Sequence, residues 1–105
     1  MDATRPEYIH NHLSLDLKNE ITRDQFKAIK QLLWGTVGRA QLEEAEDVCH
    51  VFNLMFDKGI ISIGEYGVLK RLVRDAGIGR LVGVIEEAEN RIRTYKPNEN
   101  QAKKE

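Results

Sequence analysis

The strongest constraint on what this chain folds into is the stretch from Met55 to Val73, Met-Phe-Asp-Lys-Gly-Ile-Ile-Ser-Ile-Gly-Glu-Tyr-Gly-Val-Leu-Lys-Arg-Leu-Val. It carries a helix end, a tight connection and a new helix start in one short run. Gly59 suits the left-handed position just past a helix, where a side chain would clash. Ser62 and Glu65 have the spacing of a capping box, in which the hydroxyl accepts from the Glu65 amide and the carboxylate reaches back to the Ser62 amide. Ile61 and Tyr66 flank that box as a hydrophobic staple. Leu69, Leu72 and Val73 continue an apolar stripe at helical spacing, so a helix is predicted over Ile63–Asp75. No catalytic chemistry is visible in the stretch.

Related start signals recur upstream. Thr22 and Gln25 repeat the box, with Ile21 and Phe26 as the staple pair. Thr4 and Glu7 bracket Pro6, which a first helical turn tolerates because its amides lack intrahelical partners. A first helix is predicted to run to about Lys18, with Ile9, Leu13 and Leu17 on one face and His10, Asn11, Ser14 and Lys18 polar. The second carries Phe26, Ile29, Leu32 and Leu33 inward and ends near Trp34. Gly35 to Gly38 is a short break. A third helix over Arg39–Glu46 is anchored by Leu42. The fourth, from about Glu46 to Lys58, buries Val48, Val51, Phe52, Met55 and, at its edge, Phe56. The sixth, from about Arg80 to Tyr95, turns Leu81, Val84, Ile85, Ala88 and Ile92 to one side. Pro97 stops it. The expectation is an all-α, six-helix antiparallel bundle over residues 1–95, with a flexible polar tail over 96–105 or, as the alternative, the first residues of a linker.

Composition narrows the function classes. The chain has 105 residues, 29 of them Leu, Ile, Val or Phe, enough for one modest core. A formal charge of −1 argues against a general nucleic-acid binder, which would carry a basic excess. The single cysteine, Cys49, leaves no internal disulfide and fits a reducing compartment. The N-terminus has no apolar core of a signal peptide, and no apolar run approaches the roughly 18 residues that span a bilayer. No membrane insertion is expected, and the default location is cytoplasmic, with the nucleus as alternative.

Candidate chemistry is sparse. Cys49 and His50 are adjacent, but helical neighbours point about 100° apart and do not form a nucleophile pair. His10 and His12 diverge in the same way, and no paired-histidine spacing suggests a metal site. Gly77-Ile-Gly79-Arg80 precedes a helix but lacks the preceding strand and the Lys-Ser/Thr of a phosphate loop. No catalytic residue, cofactor or metal is expected. Charge segregation says more. Glu43, Glu44, Glu46 and Asp47 form an acidic block at the third and fourth helices. Arg23, Lys27 and Lys30 lie along one side of the second, and Lys70, Arg71 and Arg74 on the outer side of the fifth. On a nearly neutral domain, one copy's acidic face can meet another's basic face, and such a heterologous contact propagates into a filament unless it closes a ring. Trp34, the only tryptophan, reads as partly buried core, with a surface anchor as alternative.

Several segments together resemble a known family. They are Ile21-Thr-x-x-Gln-Phe, Lys30-Gln-Leu-Leu, Gly35-Thr-Val-Gly-Arg-Ala-Gln-Leu-Glu-Glu, Phe52-x-Leu-Met and Gly59-Ile-Ile-Ser-x-x-Glu-Tyr-x-x-Leu-Lys-Arg-Leu-Val. From about Tyr8 to Arg93 the chain resembles a death effector domain. Its extended sixth helix, Glu86-Glu-Ala-Glu-Asn-Arg-Ile-Arg, is similar to that of regulators built from a single such domain and a tail. The resemblance implies the death fold and non-enzymatic homotypic association with other death-effector-domain proteins. In that family such contacts assemble adaptors, initiator caspases and their inhibitors in apoptotic signalling. The alternative it implies is a regulator that binds a kinase or other enzyme and caps assembly. The family's Arg-x-Asp-Leu motif aligns with Ile78-Gly79-Arg80-Leu81, where only the Leu is kept. The acidic position paired with it falls on Gln25, beside Asp24, and a second-helix position that is often an exposed Phe is Gln31. These departures put Arg80 and Gln31 among the residues that set partner choice.

Overall fold

A computed structural model describes residues 5–95 and shows six α-helices among them: α1 (Pro6–Glu20), α2 (Arg23–Leu32), α3 (Arg39–Glu44), α4 (Val48–Asp57), α5 (Gly67–Asp75) and α6 (Arg80–Arg93). No strand occurs among the described residues. α1 packs on α4 and α6, while α5 packs on α6 and α2. Side-chain contacts give the directions. Ser14 meets Cys49 while His10 meets Phe56, so α1 and α4 are antiparallel. Arg80 at the start of α6 reaches Glu20 at the end of α1, so this pair is antiparallel too.

The apolar stripes close on one core. Ile9, Leu13, Leu17, Ile29, Leu33, Leu42, Val48, Val51, Phe52, Met55, Leu69, Leu72, Val73, Leu81, Ile85 and Ala88 are all buried. Three positions depart from the pattern. Leu32 is 44% exposed, because one residue of helix turns it about 100° from Leu33, which takes the inward place. Phe56 lies at the rim, exposed but stacked on His10 with ring centroids 5.0 Å apart. Val37, in the break before α3, is buried. Ser14 is buried as well, and its hydroxyl donates to the Asn11 carbonyl at 2.7 Å, the local back-bond by which a helical serine satisfies itself. Cys49 is half-buried and donates to the Ser14 carbonyl at 3.4 Å.

Thr22 caps α2 with both halves of the box: Gln25 N donates to its hydroxyl at 3.2 Å, and Gln25 Oε1 accepts from the Thr22 amide at 2.8 Å. Pro6 is the first residue of α1, as read; Arg5 is its N-cap and makes no side-chain cap bond. Thr4, its expected partner in a box, and the polar tail from residue 96 lie outside the described residues.

The junction from Met55 to Val73 is built differently from the sequence expectation. α4 ends as expected. Gly59 has φ +76°, and the amides of Gly59 and Ile60 donate to Phe56 O and Met55 O at 3.0 and 2.8 Å. This is the Schellman pattern, which satisfies two orphan carbonyls. Ser62 and Glu65 form no capping box. Their backbones pair instead, Ser62 N to Glu65 O at 3.2 Å and Glu65 N to Ser62 O at 2.9 Å, closing a tight turn over Ile63 and Gly64. α5 therefore starts at Gly67 rather than Ile63. Gly64 at φ +88° supplies the left-handed residue that this turn needs, and a β-carbon there would come within 3.0 Å of Ile92 on α6.

The cap that Ser62 does not provide comes from α6. Glu89 Oε2 accepts from the Tyr66 amide at 3.1 Å, at the N-terminus of α5, where the helix dipole favours negative charge. Its other oxygen takes the Lys70 ammonium at 2.8 Å. Tyr66 itself is fully buried, and its hydroxyl shares a 2.6 Å hydrogen bond with His10 Nδ1. His10, a polar residue outside the Ile9, Leu13 and Leu17 stripe, is 5% exposed and packs against Phe52, Phe56 and Tyr66. Burial holds its imidazole below the ordinary pKa of 6.5.

Three predictions follow from this packing. Gly64→Ala should cost about 1–3 kcal/mol through the left-handed backbone and the Ile92 contact, whereas Ser62→Ala should stay within about 0.5 kcal/mol because its hydroxyl caps nothing. Urea titrations of the two variants check the order. Phe52→Ala should lose about 3–5 kcal/mol, since it empties the middle of a small core; a wild-type melting curve would contradict the buried face assigned to α4. For His10, protonation is favoured in the unfolded chain, so stability should be complete above about pH 6.5. It should fall as pH drops from there through the lower folded value. The urea midpoint should therefore be lower at pH 5.5 than at pH 7.5, and His10→Phe should remove most of that difference.

Candidate protein-interaction surface

The basic side of α2 follows from helical spacing. Arg23, Lys27 and Lys30 are at i, i+4 and i+7 and therefore share one face. Arg23 and Lys27 are exposed, and among the described residues none of the three has an acidic partner within 4 Å. Lys30 is half-buried, with its ammonium 4.8 Å from the Phe26 ring centroid. The chain then leaves α2 through a turn in which Leu33 O accepts from both Thr36 N and Val37 N, at 2.9 and 2.8 Å. Burial of Leu33 and Val37 on either side turns Trp34 outward.

Trp34 is 45% exposed, so it lies at the surface and not, as expected, in the core. The Arg39 guanidinium lies 4.6 Å from its ring centroid, a cation–π contact with the first residue of α3. Arg39 also donates to Glu43 at 3.2 Å, one turn further on. Between α2 and α3 runs a groove of about 200 Å³ lined by Lys27, Lys30, Gln31, Trp34, Leu42 and Glu43. Five residues singled out in the sequence thus meet at one place. Arg39, which lies on the indole, was not singled out, although its i,i+4 spacing to Glu43 was a signal.

The acidic block is partly engaged. Glu44 and Glu46 are exposed and make no ion pair among the described residues, while Glu43 is tied to Arg39. Asp47 is the N-cap of α4. Its carboxylate accepts from His50 N at 3.0 Å, and its other oxygen lies 3.6 Å from the Lys18 ammonium. It belongs to the fold as much as to the surface.

On α5 the three cations separate by role. Arg71 and Arg74 are exposed beside Val68, which is also exposed, and have no acidic partner within 4 Å among the described residues. Lys70 does not share their outer face. It is 24% exposed and holds Glu89 at 2.8 Å and Glu86 at 3.8 Å. Removing either member of the closer pair would leave a poorly solvated charge, so Lys70 is structural. Because α2 packs on α5, the two basic faces belong to neighbouring helices. Arg80 stands apart, donating to the Glu20 carboxylate at 2.8 Å and to the Glu20 carbonyl at 3.4 Å. Gln25 is occupied by the Thr22 cap.

Among the described residues no group of three or more His, Cys, Asp or Glu side chains could hold a metal ion, and no helix is long and apolar enough to cross a membrane. No protein-family model, curated protein or solved structure matches the chain.

Proposed function

We propose that this chain is a non-enzymatic interaction module of the death-effector-domain type, working as an adaptor or regulator through homotypic contacts. The observation that carries the reading is the pair of charge faces unneutralised among the described residues: Arg23, Lys27, Arg71 and Arg74 on α2 and α5, against Glu44 at the end of α3 and Glu46 just beyond it. On a domain of net charge −1, the faces complement each other between copies and between related partners. The death fold is part of the same proposal. Its supports are the six helices, the antiparallel α1–α4 and α1–α6 pairs and the motif resemblance over Tyr8–Arg93. The departures at Ile78-Gly79-Arg80 and Gln31 favour partners other than the family's usual receptor and caspase line, because Arg80 is held by Glu20 and the charge partner expected on α2 is Gln25.

The test is charge reversal. Arg71→Glu with Arg74→Glu should abolish concentration-dependent growth in particle size by light scattering and weaken capture of death-effector-domain partners. Glu44→Arg with Glu46→Arg should do the same alone and restore assembly when mixed with the first variant. Higher salt should weaken the wild-type contact, since exposed charges are screened. Unchanged size and capture in the first variant would remove the basic face from the mechanism. A wild-type chain that stays monomeric at high concentration would instead fit a regulator that caps assembly.

A further inference from the structure

We infer that the α2–α3 groove docks a polypeptide segment in which one apolar side chain is flanked by carboxylates. This names a partner chemistry for the α2 part of the surface and rests on the interaction-module reading.

The size of the groove chooses between a small molecule and a side chain. Its volume of about 200 Å³ is below the roughly 300–1,000 Å³ of sites that enclose a small ligand. It accommodates one anchoring side chain of a larger partner. Its walls say which kind. Leu42 is fully buried beneath it, and the Trp34 indole forms an apolar flank. An exposed, well-positioned tryptophan is the residue type that most often dominates a protein–protein contact.

The charges choose the flanking residues. Lys27 and Lys30 line one side, and neither has an acidic partner within 4 Å among the described residues. Glu43 is the single acidic lining residue, and Arg39 already neutralises it at 3.2 Å. Arg39 in turn lies on the indole, and with the Arg39–Glu43 pair cancelled, Lys27 and Lys30 leave the groove net positive. A basic segment would meet two cations unpaired among the described residues, Lys27 and Lys30, and no unengaged carboxylate of the groove. An acidic one would pair with Lys27 and Lys30 while its anchor covers Leu42 and Trp34. Gln31, exposed at the same edge, offers an amide to either a backbone or a carboxylate.

Trp34 is the only tryptophan in the chain, so its emission reports on this groove. The experiment titrates the full chain with a short acetylated helical peptide carrying one central Leu among Glu and Ala residues. Three comparison probes are the same peptide with Ala for Leu, the same peptide with Lys for Glu, and poly-glutamate. The expected result is a saturable blue shift of Trp34 emission with the first peptide only, weakened by salt. Lys27→Glu with Lys30→Glu should bind it about tenfold or more weakly, as reversing two partly exposed ion pairs implies, with an unchanged melting temperature. If that variant melts low, Lys27→Gln alone should still weaken binding.

No shift with the Leu–Glu peptide overturns the inference. So does an equal shift from poly-glutamate or the Ala peptide, which would mean that the groove reads charge alone, or from the Lys peptide, which would mean that it reads apolar surface alone. Failure here is separable from failure of self-association. A chain that responds to the peptide but whose particle size ignores the α5 reversals keeps this inference and loses the assembly. The opposite outcome keeps the assembly and loses the groove.

Discussion

Four helices meet at Tyr66. Its ring is wholly buried, its hydroxyl is bonded to His10 of α1, its face lies near Phe52 of α4 and its amide is taken by Glu89 of α6. It is itself the residue from which α5 starts. A buried hydroxyl without a partner would cost about 1–3 kcal/mol, so His10 has to be inside, where burial lowers its pKa. A buried helix start without an acceptor would be similarly costly, so Glu89 has to lean across from α6. Its remaining charge is then met by Lys70. One residue, through its side chain and its backbone amide, thus sets the depth of α1, the cap of α5 and the fate of two charges.

That arrangement also shapes the surface. Lys70 and Asp47 carry the same charges as their neighbours in sequence but are tied into the fold, one on Glu89 and the other on the start of α4. Among the described residues the charges left for a partner are Arg71 and Arg74 on α5, Arg23 and Lys27 on α2, and Glu44 and Glu46 at and just beyond the end of α3. The surface is therefore narrower than the sequence blocks suggested, and it centres on α2, where cations gather round an exposed indole. The alternating use of charges explains how a chain of almost zero net charge keeps distinct faces.

Much of the architecture was legible because it depends on neighbours in sequence. Ile9, Leu13 and Leu17 share a face by spacing alone, Thr22 finds Gln25 three residues on, and Gly59 ends α4 through its own backbone freedom. Ser62 and Glu65 had the same spacing as Thr22 and Gln25 but a different outcome. Between them lies Gly64, which permits a left-handed turn, and the two backbones pair more closely than a box allows. The site was legible in its members and less so in its grouping. Lys27, Lys30, Gln31, Trp34 and Glu43 were all marked, but only the outward turn of Trp34 between buried Leu33 and Val37 brings them round one groove.

The amino-acid sequence by itself determined the helices, most of their inward faces, the ends set by Pro6, Thr22 and Gly59, and the segregation of charge, since each rests on spacing within a few residues. Only the tertiary structure decided that His10 is a core residue, that Glu89 caps α5, that Lys70 is neutralised and that Arg80 is held by Glu20. These pairings join residues nineteen to sixty positions apart. Their partners are selected by which helices pack together, and no local pattern carries that information.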